Sequence, residues 1–291
     1  MKLIIHQLNK TYPNGVKALD GVDLEIQPGM FGLLGPNGAG KSSLMRTLAT
    51  LQIPDSGQIM FDGFNVLADP LRLRKVLGYL PQEFGVYPGM SAEYLLDYFA
   101  LLKGVSGKKE RNKLVHYVLE LTNLFDVRKK NVDGFSGGMK QRFGIAQILL
   151  NNPKLIIVDE PTAGLDPAER NRFLNVLREI ATHHIIIFST HIVEDIQGIC
   201  NDLAIMNKGR ILKQIKPQEV TAWLDGKIWT RQVTREELET LEKNYTVLSS
   251  GYLQNNLIEV RVWGDQLAHQ GFRSVQPNLE DLYFKSLQND H

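Results

Sequence analysis

The chain has 291 residues, 43% hydrophobic and 22% charged. That composition excludes an intrinsically disordered protein and supplies enough apolar surface for a sizeable core. Lys and Arg total 33 against 32 Asp and Glu, a formal net charge of +1, which removes any bulk electrostatic case for nucleic acid or an anionic membrane surface. The single cysteine, Cys200, excludes an internal disulfide and a thiolate metal cluster and suits a reducing compartment. Beside Ile199 it reads as small core filler.

In chain order, the start Met1-Lys2-Leu3-Ile4-Ile5-His6-Gln7 has too little apolar length for a secretory signal. The aliphatic runs, such as Leu155 to Val158, are strand-sized and too short to span a bilayer, so a cytoplasmic location is expected. Leu3 to Leu8 alternates loosely, then Thr11-Tyr12-Pro13-Asn14-Gly15 forms a turn. Val22 to Ile26 alternates as a strand with one wet face, and Phe31 to Leu34 is apolar on both faces, as in a buried parallel strand. A helix is expected from Lys41 to about Leu51. From about Ser91 to Asn151 the texture is helical, with expected buried stripes at Leu95, Tyr98/Phe99 and Leu102, at Leu114, Val118 and Leu121, and at Phe143, Ala146/Gln147 and Leu150. Strands return at Leu155 to Val158 and Ile185 to Phe188 with a helix between, which implies a parallel sheet covered by helices. Beyond Lys213, two alternating stretches (Lys227 to Val233, Leu257 to Val262) and two short helices (Glu236 to Asn244, Leu279 to Leu287) predict a small α+β appendage.

The chemistry concentrates in three places. Gly35-Pro36-Asn37-Gly38-Ala39-Gly40-Lys41-Ser42 follows a buried strand and opens a helix, the pattern and context of a phosphate-binding loop. Glycines let backbone N–H groups curl around phosphate oxygens, the helix start adds partial positive charge, Lys41 supplies a full one, and the Ser42 hydroxyl can reach Mg²⁺. Asp159 and Glu160 end an apolar strand, at the sheet edge where open parallel sheets bind ligands. Asp159 is the natural Mg²⁺ partner of Ser42, and Glu160 is placed to activate water. Phe135-Ser136-Gly137-Gly138-Met139-Lys140-Gln141 is a second glycine-rich helix start, with Ser136 as N-cap.

With these motifs in this order, residues 1 to about 215 resemble the nucleotide-binding subunits of ATP-binding-cassette (ABC) transporters. Tyr12 stands where the family stacks an aromatic ring on adenine, and Gln82 in Leu80-Pro81-Gln82-Glu83 where it keeps a glutamine. Ala163-Gly164-Leu165-Asp166 follows the paired carboxylates, and Ser189-Thr190-His191 carries the switch histidine. Asp166, before Pro167 and Glu169, also fits a helix cap with a capping box. Phe135 and Met139 depart from the usual Leu and Gln of the signature; Met139 removes an amide from the dimer interface.

The resemblance implies an α/β P-loop NTPase fold: a parallel-sheet core, an antiparallel β subdomain and a helical subdomain over about residues 91–151. The ABC ATPase domain then covers 1–215, and a small α+β accessory domain covers 216–291. It implies ATP and Mg²⁺ as ligands. Binding falls to Tyr12, Gly35, Pro36, Asn37, Gly38, Ala39, Gly40, Lys41, Ser42, Ser43, Ser136, Gly137, Gly138 and Asp166, with Ser136 contributed across a head-to-tail homodimer. Metal ligation falls to Ser42, Gln82 and Asp159, and catalysis to Lys41, Gln82, Glu160 and His191. The implied partners are a second ATPase subunit and a separate transmembrane permease at the cytoplasmic face of the membrane; no nucleic acid is expected. Phe84 and Tyr87, after Gln82, suit docking of such a permease, or else packing within the helical insertion. The signature and the tail Pro277 to Phe284 resemble bacterial ABC-2-type exporters; an importer ATPase, or a soluble cassette acting outside transport, are the other readings.

Overall fold

The computed structural model describes residues 1–254 and 256–288. Leu3–Thr11 (β1) and Lys17–Ile26 (β2) lead into Gly29–Leu34 (β3) and the helix Lys41–Leu48 (α1). Ser56–Phe61 (β4), Phe64–Asn65 (β5), Pro70–Arg74 (α2) and Leu77–Leu80 (β6) follow. Helices Ala92–Leu102 (α3), Lys108–Leu121 (α4) and Gly137–Leu149 (α5) come next. Strand and helix then alternate through Leu155–Asp159 (β7), Pro167–Ile180 (α6), Ile185–Thr190 (β8), Val193–Ile196 (α7), Asp202–Asn207 (β9) and Arg210–Ile215 (β10). The last portion holds Val220–Leu224 (α8), Ile228–Val233 (β11), Arg235–Asn244 (α9), Thr246–Tyr252 (β12), Ile258–Trp263 (β13), Arg273–Ser274 (β14) and Leu279–Gln288 (α10).

The central sheet has the order β10-β9-β3-β8-β7-β6 and is parallel except at its β10 edge. Its strands are apolar on both faces because both are covered. Period-two alternation sends Met30, Leu34, Ile156, Val158 and Phe188 into one core with α3 to α6, and Phe31, Leu33, Ile157 and Ile187 into another. The second core is closed by the antiparallel sheet β2-β1-β4-β5 and by Leu44, Met45 and Leu48 of α1. Each such fully buried aliphatic side chain contributes about 1.5–3 kcal/mol. This is the expected α/β architecture with an antiparallel β subdomain and a helical subdomain.

Several local expectations shift. Helix α1 ends at Leu48 rather than Leu51, because Thr50 turns to φ +60° and Arg74 holds its carbonyl at 2.9 Å. Helix α3 buries Ala92, Leu95, Leu96 and Ala100, whereas Tyr98 and Leu102 of the expected stripe are 46% and 66% exposed. A helix apolar on nearly every side has no unique stripe, and the alanines turn inward because they permit close approach to α4 and α5. On α4 the buried residues are Val115, Val118 and Leu119, with Leu114 and Leu121 at the margin.

The C-terminal portion forms the antiparallel sheet β12-β13-β11-β14, with its own core of Val233, Leu241, Ile258, Val260, Val262 and Phe272. Strand β12, half serine and glycine at its end, has no apolar alternation to announce it. Val220, Leu224, Leu279, Leu282 and Tyr283 nevertheless join the large core of the helical face. Asp281, buried at the start of α10, accepts Arg261 Nε at 2.8 Å and Nη2 at 2.6 Å and the Asn278 N–H at 2.9 Å. Among the described residues no helix is long and apolar enough to cross a membrane.

Candidate active site

Strand register brings the first two motifs together. Leu34 pairs with Thr190 and Asp159 with Ser189, so the loops after β3, β7 and β8 leave the sheet side by side at its C-terminal edge. Lys41 is almost wholly buried; its Nζ donates to Gly35 O at 2.7 Å and Pro36 O at 3.1 Å and lies 3.1 Å from Glu160 Oε1. The other carboxylate oxygen of Glu160 lies 3.5 Å from His191 Nδ1. The Ser42 hydroxyl donates to Asp159 Oδ1 at 3.3 Å, and Ser189 Oγ donates to the same oxygen at 2.7 Å. Ser189 Oγ in turn accepts the Glu160 N–H at 3.0 Å. Glu160 has φ +44°, a left-handed conformation that costs a non-glycine residue about 1–2 kcal/mol. The bonds from Ser189 and Lys41 hold it there.

The phosphate loop is shaped by what surrounds it. At Gly40 φ is +103°, and a Cβ would sit 2.3 Å from Ala18 O; at Gly35 a Cβ would sit 2.3 Å from Met206 O. Helix α1 starts at Gly40 with no side-chain cap and no acid in its first turn, so its partial positive charge is not offset locally. A cleft of about 540 Å³ opens over this helix start, lined by Tyr12, Asn37 to Ser43, Gln82 and Glu160. The Tyr12 hydroxyl is anchored to Ser43 Oγ at 3.0 Å and Gln52 Oε1 at 2.8 Å.

Ser136, Gly137, Gly138 and Asp166 do not line this cleft; they form a second group. Ser136 Oγ caps α5 by accepting the Met139 N–H at 3.2 Å, and Asp166 Oδ1 caps α6 by accepting the Glu169 N–H at 2.9 Å. A Cβ on Gly138 would meet Glu169 Oε2, and one on Gly137 would lie 3.6 Å from Leu165 Cδ2, so the two loops adjoin. The expected capping box is only half made. The Glu169 carboxylate turns to the buried Arg142 and to Arg172 instead of back to the cap. Phe84 is another departure from an exposed docking residue: it is part-buried, its ring over Gly144 of α5, while Tyr87 remains 56% exposed beside Phe99.

Three participants escaped the sequence reading. Ser189 bridges Asp159 and Glu160, Asp195 gathers hydrogen bonds behind the site, and Lys208 lines the cleft. Of these only Ser189 carried a signal, as the first residue of the Ser-Thr-His run. Cys200 packs against Gly32 as expected of core filler, and burial pushes its thiol well above the usual range.

Ser42 and Asp159 present hard oxygen donors a hydrogen bond apart, a set that fits Mg²⁺. No group of three or more His, Cys, Asp and Glu among the described residues could hold a metal. Mg²⁺ needs only one or two protein carboxylates, completing its shell from phosphates and water. A parallel sheet, an uncapped glycine-lined helix start with a buried lysine, and paired carboxylates on a neighbouring strand together define a P-loop nucleoside triphosphatase.

The ABC transporter family model matches residues 19–163. The chain is 37% identical over 238 residues to the uncharacterized ABC transporter ATP-binding protein YxlF of Bacillus subtilis, covering 81% of this chain and 78% of that one. It is 35% identical over 251 residues to the Nod factor export ATP-binding protein I of Cupriavidus metallidurans, covering 85% and 81%. Among solved structures, cbiO1 of Clostridium perfringens, part of the ABC transporter complex cbiONQ, superposes with a TM-score of 0.69 at 30% identity, over 76% of this chain and 90% of that one. The chain belongs to the ABC transporter family, as one of its ATP-binding, ATP-hydrolysing subunits.

Proposed function

We propose that two copies of this chain meet head to tail, enclose ATP between them and power a separate transmembrane permease in export, from the cytoplasmic face of the membrane. One observation carries this reading: the α1 start opens on the cleft with Lys41 and Glu160, while Ser136 to Gly138 and Asp166 form a group outside it. A second copy unites the two halves. In each site Lys41 and the N–H groups of the loop Gly35 to Ser43 hold the triphosphate, and Tyr12 stacks on adenine. Ser136, Gly137, Gly138 and Asp166 of the opposing copy close over it.

Ser42, Asp159 and Gln82 would hold the magnesium ion, which when bound offsets charge on the phosphates. Glu160 orients the attacking water and takes its proton, Gln82 senses the γ-phosphate, and Lys41 and His191 stabilise charge on the transferred phosphoryl group. Residues 1–215 act as the cassette and 216–291 as an accessory domain. Exposed Tyr87, which follows Gln82, and Tyr98, both packed on Phe99, offer the permease an aromatic surface. Export is supported by the tail Pro277 to Phe284 and by the likeness to a Nod factor export protein.

Two variants test the mechanism. Lys41→Ala abolishes turnover, and hydrolysis at the wild-type rate sinks the phosphate-loop assignment. Glu160→Gln lowers kcat by about 10²–10⁴-fold while ATP binding survives, and with Mg-ATP it elutes as a dimer. Recovery of Glu160→Gln with Mg-ATP from detergent-solubilised membranes together with a multispanning protein tests the permease. Recovery with ribosomal or DNA-bound proteins alone discards transport.

A further inference from the structure

We propose that Asp195, on the short helix α7, is a positioning residue for hydrolysis: it locks the loop bearing Glu160 to the strand end bearing His191. The inference rests on the roles given to Glu160 and His191 above. The Asp195 side chain is fully buried. Its Oδ2 accepts the Thr162 hydroxyl at 2.7 Å and the Thr190 hydroxyl at 2.8 Å, and its Oδ1 pairs with the Arg170 guanidinium. These partners come from three separate segments. Thr162 lies two residues beyond Glu160, Thr190 immediately precedes His191, and Arg170 stands in α6, its own N–H bonded to the Asp166 carbonyl at 2.9 Å.

The His191 turn is held from both sides by the same group. Thr190 Oγ1, which donates to Asp195, also accepts the Ile192 N–H at 3.0 Å, and the Asp195 N–H donates to Ile192 O at 3.2 Å. His191 itself is 42% exposed, so packing of its ring does little to aim it. Its position, 3.5 Å from Glu160, follows from backbone that Asp195 fixes on each side. Burying a carboxylate is costly unless its oxygens are satisfied, and a well-packed apolar side chain stabilises a core at least as well. A fully satisfied carboxylate that joins the Glu160 loop and the His191 turn to helix α6 is therefore better explained by geometry than by stability.

The test is steady-state hydrolysis of Mg-ATP by the purified chain, with Tm and hydrogen–deuterium exchange on the same samples. For Asp195→Asn we expect kcat to fall about ten- to a hundredfold, with KM for ATP within about twofold of wild type. Exchange should rise over residues 158–166 and 189–196 and stay unchanged over 36–48. Thr190→Val and Thr162→Val, which retain the Asp195–Arg170 pair, should lose kcat in the same direction by less; they carry the test if Asp195→Asn does not fold. Wild-type kcat in all three variants overturns the proposal. So does a raised KM at unchanged kcat, or a loss of turnover that only tracks a loss of Tm. Wild-type turnover by Lys41→Ala or His191→Ala would instead overturn the underlying site. If both of those are impaired and the Asp195 and threonine variants are not, the positioning role alone fails.

Discussion

Gly40 combines two constraints that only a residue without a Cβ tolerates, a φ of +103° and a Cβ direction blocked by the Ala18 carbonyl. Gly40→Ala is therefore expected to destabilise the fold by roughly 1–3 kcal/mol and to abolish nucleotide binding, read by denaturant unfolding and by titration with a fluorescent ATP analogue. Cys200 is a contrasting case. Its thiol is buried against Gly32, with burial and the nearby Asp195 and Asp202 raising its pKa, so little thiolate forms at neutral pH. A thiol reagent should modify it only as the protein unfolds; rapid labelling of the folded chain would contradict that. The glycine was legible from the phosphate-loop pattern. The Glu160 pairing with Lys41 and His191 was not, because it depends on which strands become neighbours.

Helix starts show how elements divide their labour. Helices α5 and α6 satisfy their first-turn N–H groups with Ser136 and Asp166, whereas α1 has no side-chain cap. Loss of the cap in Ser136→Ala should cost about 0.5–2 kcal/mol, measured by thermal unfolding. The Asp166–Glu169 pattern predicted a reciprocal capping box, but Arg142 is 5% exposed and draws the Glu169 carboxylate across to α5. A buried guanidinium without a counter-charge is worse than a cap bond forgone, so the tertiary contact prevails. Glu169→Ala should accordingly destabilise the chain by about 3–5 kcal/mol in urea, more than Ser136→Ala. A smaller effect would mean that Arg142 finds water or another acceptor.

At the scale of the molecule, the C-terminal portion has a sheet and core of its own, yet Leu279, Leu282 and Tyr283 of α10 enter the large core. Asp281 clamps that helix to β13 through Arg261. Leu282→Ala should cost about 2–5 kcal/mol, and wild-type unfolding should show the cassette and the C-terminal portion melting together. Two separated transitions in calorimetry would show that the shared core does not couple them.

Local chemistry sufficed for the parallel-sheet class, the phosphate loop, the paired carboxylates and both helix caps, because apolar period, glycine placement and capping residues act over a few neighbouring positions. Distant contacts made the other choices. The buried stripe of α3 depended on where alanines let α4 and α5 approach, and the path of Glu169 on a buried arginine. The lock behind His191 depended on Asp195 meeting threonines from two other loops. That lock required β7 and β8 to be neighbours first, since their adjacency brings Thr162 and Thr190 within reach of one carboxylate oxygen.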